Sequence, residues 1–113
     1  MTAKNALVQA TPFEIDRALK KLGADLRTAR LRRNLSADAA AAKIGAGRRA
    51  ILDAEKGKVS TQIVVYAGLL WAYGLIDHLG DAADPSADEE GQRLALTQDR
   101  VHARSPKGLD NDF

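Results

Sequence analysis

Two consecutive arginines, Arg48 and Arg49, are the residues of this 113-residue chain best suited to recognition chemistry. A guanidinium group presents paired N–H donors that match O6 and N7 of guanine, worth about 1–3 kcal/mol of discrimination between bases. Asp53 follows about one further turn along and could accept from N4 of cytosine. The competing reading for all three is a solvated helix face. Reactive clusters are absent from the sequence. There is no cysteine, and the two histidines, His78 and His102, lie far apart with no metal-ligand spacing around either. Asp88-Glu89-Glu90 could invite a cation, but acids in the first turn of a helix explain it without one. No glycine-rich loop follows a strand, and no nucleophile is paired with a base. The expectation is therefore a binding protein, not an enzyme, with no metal and no cofactor.

The arginines need a helix that begins with them. Residues 36–57 read as two short helices joined by a turn. Ser36 caps the first, Asp38 sits in its first turn, and Ala40, Ala41 and Ile44 share its apolar face. Gly45 stops it. The second runs from about Arg48 to Lys56, with Ile51 and Ala54 inward and Gly57 as its stop. Two helices crossing about a glycine-containing turn form a helix-turn-helix, whose second helix presents its N-terminal side chains to base edges.

The run Leu26 to Gly57 resembles the lambda-repressor-like (Xre/Cro) helix-turn-helix family. The resemblance is carried by a basic first helix, the turn residue Asn34, Leu35, the Ser36 cap, Ala41, Ile44-Gly45, Ile51, Glu55 and Gly57. It implies a five-helix bundle. It also implies phosphate contacts from Arg27, Ser36, Lys43, Gly47, Lys56 and Lys58, and a partly buried structural ion pair between Arg30 and Glu55. Ala37 stands where the family usually has Gln, and Gly47 where it usually has Ser or Thr. Within the family, the size and the acidic tail resemble HipB-like antitoxins, which repress their operon and bind a HipA-like kinase toxin. A stand-alone Xre-type repressor and a protein–protein adaptor on the same fold are the alternatives.

Composition agrees with a small helical protein. Hydrophobic residues make up 45% of the chain but aromatics only 4%, and much of the apolar count is alanine. The net charge of +2 conceals an asymmetry. Residues 1–58 carry 13 Lys/Arg against 6 Asp/Glu, and residues 59–113 carry 4 against 9. A basic front half and an acidic rear half suggest two surfaces with different partners. The N-terminal residues lack the apolar core of an export signal, so a cytoplasmic location is expected.

The flanking segments complete the expected architecture. Residues 1–10 read as an arm, residues 11–83 as the DNA-binding domain, and residues 84–113 as an acidic, partly disordered tail. Thr11-Pro12-Phe13-Glu14 signals a helix start. Ile15, Leu19, Leu22, Leu26 and Ala29 then recur at spacings of 4, 3, 4 and 3, one face of a helix. Gly23 marks a kink or a join. Ile63 to Ile76 is almost wholly apolar but too short to span a bilayer, which needs about 20 residues. An all-round apolar helix must be covered on every side. The run therefore predicts a homodimer surface at Tyr66, Leu69, Leu70 and Tyr73. A fifth helix is expected near Leu75–Ala82, and a short one near Asp88–Leu96. Leu109 and Phe113 read as a docking motif for a partner. The expected partners are thus palindromic double-stranded DNA, a second copy of the chain and a HipA-like kinase toxin, with no membrane.

Overall fold

One device ends four successive helices. Asn34 (φ 55°), Gly45 (φ 69°), Gly57 (φ 70°) and Gly74 (φ 75°) all take the left-handed conformation. In each case the next residue's N–H reaches back five residues to a helix carbonyl: Leu35 to Arg30, Ala46 to Ala41, Lys58 to Asp53, Leu75 to Leu70. This is the Schellman closure, which satisfies orphaned carbonyls and turns the chain sharply. Three glycines and one asparagine supply a backbone geometry that bulkier side chains resist.

The computed structural model describes residues 5–104. Among them lie seven α-helices, a single 3-10 turn and no strand. The helices are α1 (Ala6–Gln9), α2 (Phe13–Arg32), α3 (Ala37–Ile44), α4 (Arg48–Glu55), α5 (Ile63–Ala72), α6 (Ile76–Gly80) and α7 (Glu89–Arg104). The all-helical class is as expected, but the count exceeds five. The arm contributes a one-turn helix capped by Asn5, and the tail contributes α7. The chain divides into two compact units, Met1–Leu79 and Gly80–Phe113.

In the first unit, α2 runs unbroken through Gly23. The glycine is there for packing. A Cβ at residue 23 would fall 2.5 Å from the Ala54 carbonyl oxygen and 2.6 Å from that of Glu55. A Cβ at residue 57 would similarly meet the Leu19 carbonyl at 2.5 Å. Both glycines let α2 lie directly against the end of α4. Thr11 does not cap α2. Its hydroxyl donates to the Leu7 carbonyl instead, and Pro12 holds the cap position. Ile15, expected inside, is 40% exposed, because the end of α4 meets α2 only from Leu19 onward. The core comprises Leu26, Ala29, Ala37, Ala40, Ala41, Ile51, Ala54, Tyr66, Leu69, Leu70 and Tyr73. Alanines dominate where helices approach, as small side chains allow.

The second unit is short. Asp84 accepts from the N–H and hydroxyl of Ser86, and these bonds hold its carboxyl below the usual carboxylate range. Asp88 accepts from the Gly91 N–H at 3.0 Å, so it caps α7. The helix continues eight residues past Leu96, well beyond the expected end, while Leu94, Leu96 and Val101 stay exposed. Leu109 and Phe113 lie outside the described residues.

Candidate nucleic-acid interface

Helix α3 is capped by Ser36, whose hydroxyl accepts from the Ala39 N–H at 3.0 Å, and Asp38 adds negative charge to its first turn. Gly45 then reverses the chain into α4, whose N-cap is Gly47 with no side-chain bond. Arg48 and Arg49 open α4 and are both exposed. No acid lies in that first turn, whereas α2 opens with Glu14 and Asp16 and α7 with Glu89 and Glu90. Two cations at the positive end of a helix dipole oppose helix stability. Asp38 offsets little of this. Its carboxylate lies 3.7 Å from Arg48 Nε, and the two side chains are 78% and 64% exposed.

An α-helix advances by about 100° per residue, which sorts the side chains of α4. Ile51 and Ala54 are fully buried, and Glu55 turns toward α2. The exposed side chains form a stripe of Arg48, Arg49 and Lys56, with Leu52 half-buried at its margin. Arg48, Arg49 and Leu52 line an open groove of about 380 Å³.

Asp53 lies at the edge of this stripe and is drawn back from it. Its side chain is 22% exposed, one carboxylate oxygen is sealed from solvent, and that oxygen is 3.5 Å from Lys58 Nζ. The expected base contact at Asp53 thus falls on a carboxylate that also faces Lys58. Its other carboxylate oxygen stays accessible beside the stripe, and Leu52, one turn after Arg48, is half-buried against the core.

The expected phosphate-contact positions are all accessible. Arg27, Ser36, Lys43, Gly47, Lys56 and Lys58 are exposed. Lys43 also sits in the last turn of α3, where a cation suits the helix dipole, and Lys58 also neutralises Asp53.

Beneath the stripe, Arg30 and Glu55 lock α4 onto α2. Arg30 Nε donates to Glu55 Oε2 at 2.7 Å and Nη2 to Oε1 at 3.0 Å, while Nη1 donates to the Leu35 carbonyl at 2.8 Å. The hydrogen bonding to Glu55 drives the Arg30 pKa upward, against burial, which lowers it. Arg33, which sequence reasoning passed over, makes a second tie. It donates to the Ala29 and Tyr73 carbonyls, and its guanidinium lies 5.6 Å from the Tyr73 ring centre.

The expected dimer surface is overturned. Tyr66, Leu69, Leu70 and Tyr73 are 2%, 0%, 7% and 4% exposed, so they form the core of the protomer. They recur at i, i+3, i+4 and i+7, the face that α3 and α4 cover. The uncovered side of α5 carries Ile63, Val64 and Trp71 instead.

Among the described residues, no group of His, Cys, Asp and Glu side chains could hold a metal ion, and no helix is long and apolar enough to cross a membrane. No protein-family model matches the chain, and neither a curated protein nor a solved structure matches it.

Proposed function

We propose that this chain is a sequence-specific DNA-binding protein that represses transcription as a homodimer, with α3 and α4 as its helix-turn-helix. The observation that carries the reading is the start of α4. Arg48 and Arg49 are exposed there, at a helix end that favours anions, with no acid in that turn, no side-chain cap, and only the exposed Asp38 nearby. A position that works against local stability is where a functional requirement is expected. A polyanion in the adjacent space relieves the conflict. In this reading Arg48 and Arg49 meet guanine edges, and Asp53 accepts from N4 of cytosine. Arg27, Lys43, Lys56 and Lys58 meet phosphates.

The narrower reading is an antitoxin of a HipA/HipB-type pair. It rests on the resemblance in residues 26–57 and on the acidic rear half, which would serve a kinase toxin. Selection of a bound site from random duplexes tests the DNA reading. Recovery of a palindrome with half-sites about one helical turn apart supports it. Failure to enrich any sequence at low salt refutes it and leaves the protein–protein adaptor. Co-purification with the product of the adjacent gene tests the antitoxin reading separately.

A further inference from the structure

Helix α5 buries one face and leaves the other bare. On the bare side Ile63, Val64 and Trp71 are 64%, 64% and 63% exposed. Val64, Gly68 and Trp71 fall at spacings of four and three, so they form one stripe along the helix. Gly68 is the notch in that stripe, and a Cβ there would lie 3.4–3.5 Å from Ile44 of α3, an ordinary contact, so Ile44 walls the notch. Val64, Gly68 and Trp71, together with Ile44 and Ala46, line a groove of about 360 Å³. Among the lining residues, Lys43 alone is charged.

We propose that this face joins two copies of the chain, with α5 running antiparallel to α5 of the second copy and crossing it near Gly68. The proposal rests on the dimeric reading above for its stoichiometry and replaces the surface expected from sequence. Three observations select a second copy as the occupant. The stripe is nearly symmetric about its notch, with Val64 four residues before Gly68 and Trp71 three after. A two-fold axis at the notch therefore places each Trp71 beside the other copy's Val64, over its groove. Protrusion and recess thus belong to the same patch, which is what an isologous interface requires. The patch also lacks acids, so it offers nothing to a basic partner, and Lys43 is its single charged residue.

Area points the same way. The exposed parts of Ile63, Val64 and Trp71 provide roughly 300 Å² of apolar surface. A standard interface takes about 800 Å² from each partner, a little over half of it apolar. The patch thus supplies most of the apolar centre of a modest, reversible dimer.

Trp71 is the single tryptophan of the chain, so its fluorescence reports on this face directly. The full-length protein, free of DNA, is followed by sedimentation and by emission over a dilution series. The expected result is a monomer–dimer equilibrium in which emission moves to shorter wavelength and iodide quenching falls as the dimer forms. Trp71→Glu and Val64→Glu each weaken self-association at least tenfold with unchanged far-ultraviolet circular dichroism. Leu94→Glu, on α7, leaves it unchanged. A chain that stays monomeric at high concentration overturns the proposal. So does a dimer unaffected by Trp71→Glu, or one in which Trp71 stays as open to iodide as in the monomer. In the latter two cases the dimeric DNA-binding reading survives and only this surface fails. Loss of DNA binding in Arg48 variants that still dimerise separates the two claims in the other direction.

Discussion

Arg30 and Glu55 face each other across the α2–α4 crossing in a fork-to-fork pair, with side chains 9% and 5% exposed. A pair this deep has lost its water, and each charge depends on the other. Removing one partner leaves a buried, uncompensated charge, which typically costs about 3–5 kcal/mol. Glu55→Ala should therefore lower unfolding stability by that order in a urea titration, and Glu55→Gln by somewhat less. Loss of under about 1 kcal/mol for either would mean the guanidinium finds water or another acceptor, contrary to this account.

Gly23 and Gly47 make an opposed pair of substitutions. Alanine at an interior helix position normally gains about 1 kcal/mol over glycine. At residue 23 the new methyl would strike the Ala54 and Glu55 carbonyls, which are backbone and cannot swing aside. Gly23→Ala should thus destabilise by about 1–3 kcal/mol, the usual cost of overpacking. At residue 47 the space is open and φ is −87°, so Gly47→Asp gives α4 a capping carboxylate at no steric cost. The melting temperature should rise slightly, while affinity for a selected operator falls, because the same carboxylate repels phosphate. A melting temperature raised by Gly23→Ala would contradict the packing described for α2.

The two tyrosines are both buried but not equivalent. Tyr66 donates its hydroxyl to the Lys58 carbonyl at 2.8 Å, whereas the Tyr73 hydroxyl is buried without a hydrogen-bond partner. Tyr66→Phe should cost about 1 kcal/mol, and Tyr73→Phe should be neutral or stabilising. Equal effects in paired denaturation curves would remove the distinction.

Burial pushes both phenols above their usual pKa of 10.0. The unfolded chain then releases these protons first as pH rises. Above pH 10 the native state holds more protons than the unfolded state, so stability is present below that pH and declines toward the folded pKa values. The near-ultraviolet absorbance of tyrosinate should appear later in native protein than in urea-unfolded protein. Coincident titrations would show that the rings are open to solvent.

Arg48→Ala and Arg49→Ala should each reduce affinity for a selected operator by about 1–3 kcal/mol, and should leave the melting temperature unchanged or slightly raised, since they remove a cation from the positive end of α4. Three or four phosphate-contacting cations per protomer give a dimer a log–log salt slope of about −5 to −7. Unaltered binding by both variants would leave α4 without the recognition role proposed for it.

Much of the molecule was legible in residue order. Ser36 as a cap, and Asn34, Gly45, Gly57 and Gly74 as stops, follow from local backbone energetics, which depend on near neighbours in the chain. The helical class follows from the spacing of Leu19, Leu22, Leu26 and Ala29. The misreadings were of another kind. Gly23 looked like a kink because propensity alone counts against it, yet the reason for it is a carbonyl more than thirty residues away. The contact between Asp53 and Lys58 was equally illegible, because it exists only once the Schellman turn at Gly57 brings the two together.

The sequence by itself determined where each helix from α2 to α5 ends and that Arg48 and Arg49 head α4, because these depend on capping and period within a few residues. Tertiary structure alone decided which side of the uniformly apolar α5 is core and which is surface. A helix apolar all round has no amphipathic stripe to orient it. Its rotation was settled by where α3 and α4 offered cover, which put Tyr66, Leu69, Leu70 and Tyr73 inside and left Ile63, Val64 and Trp71 out.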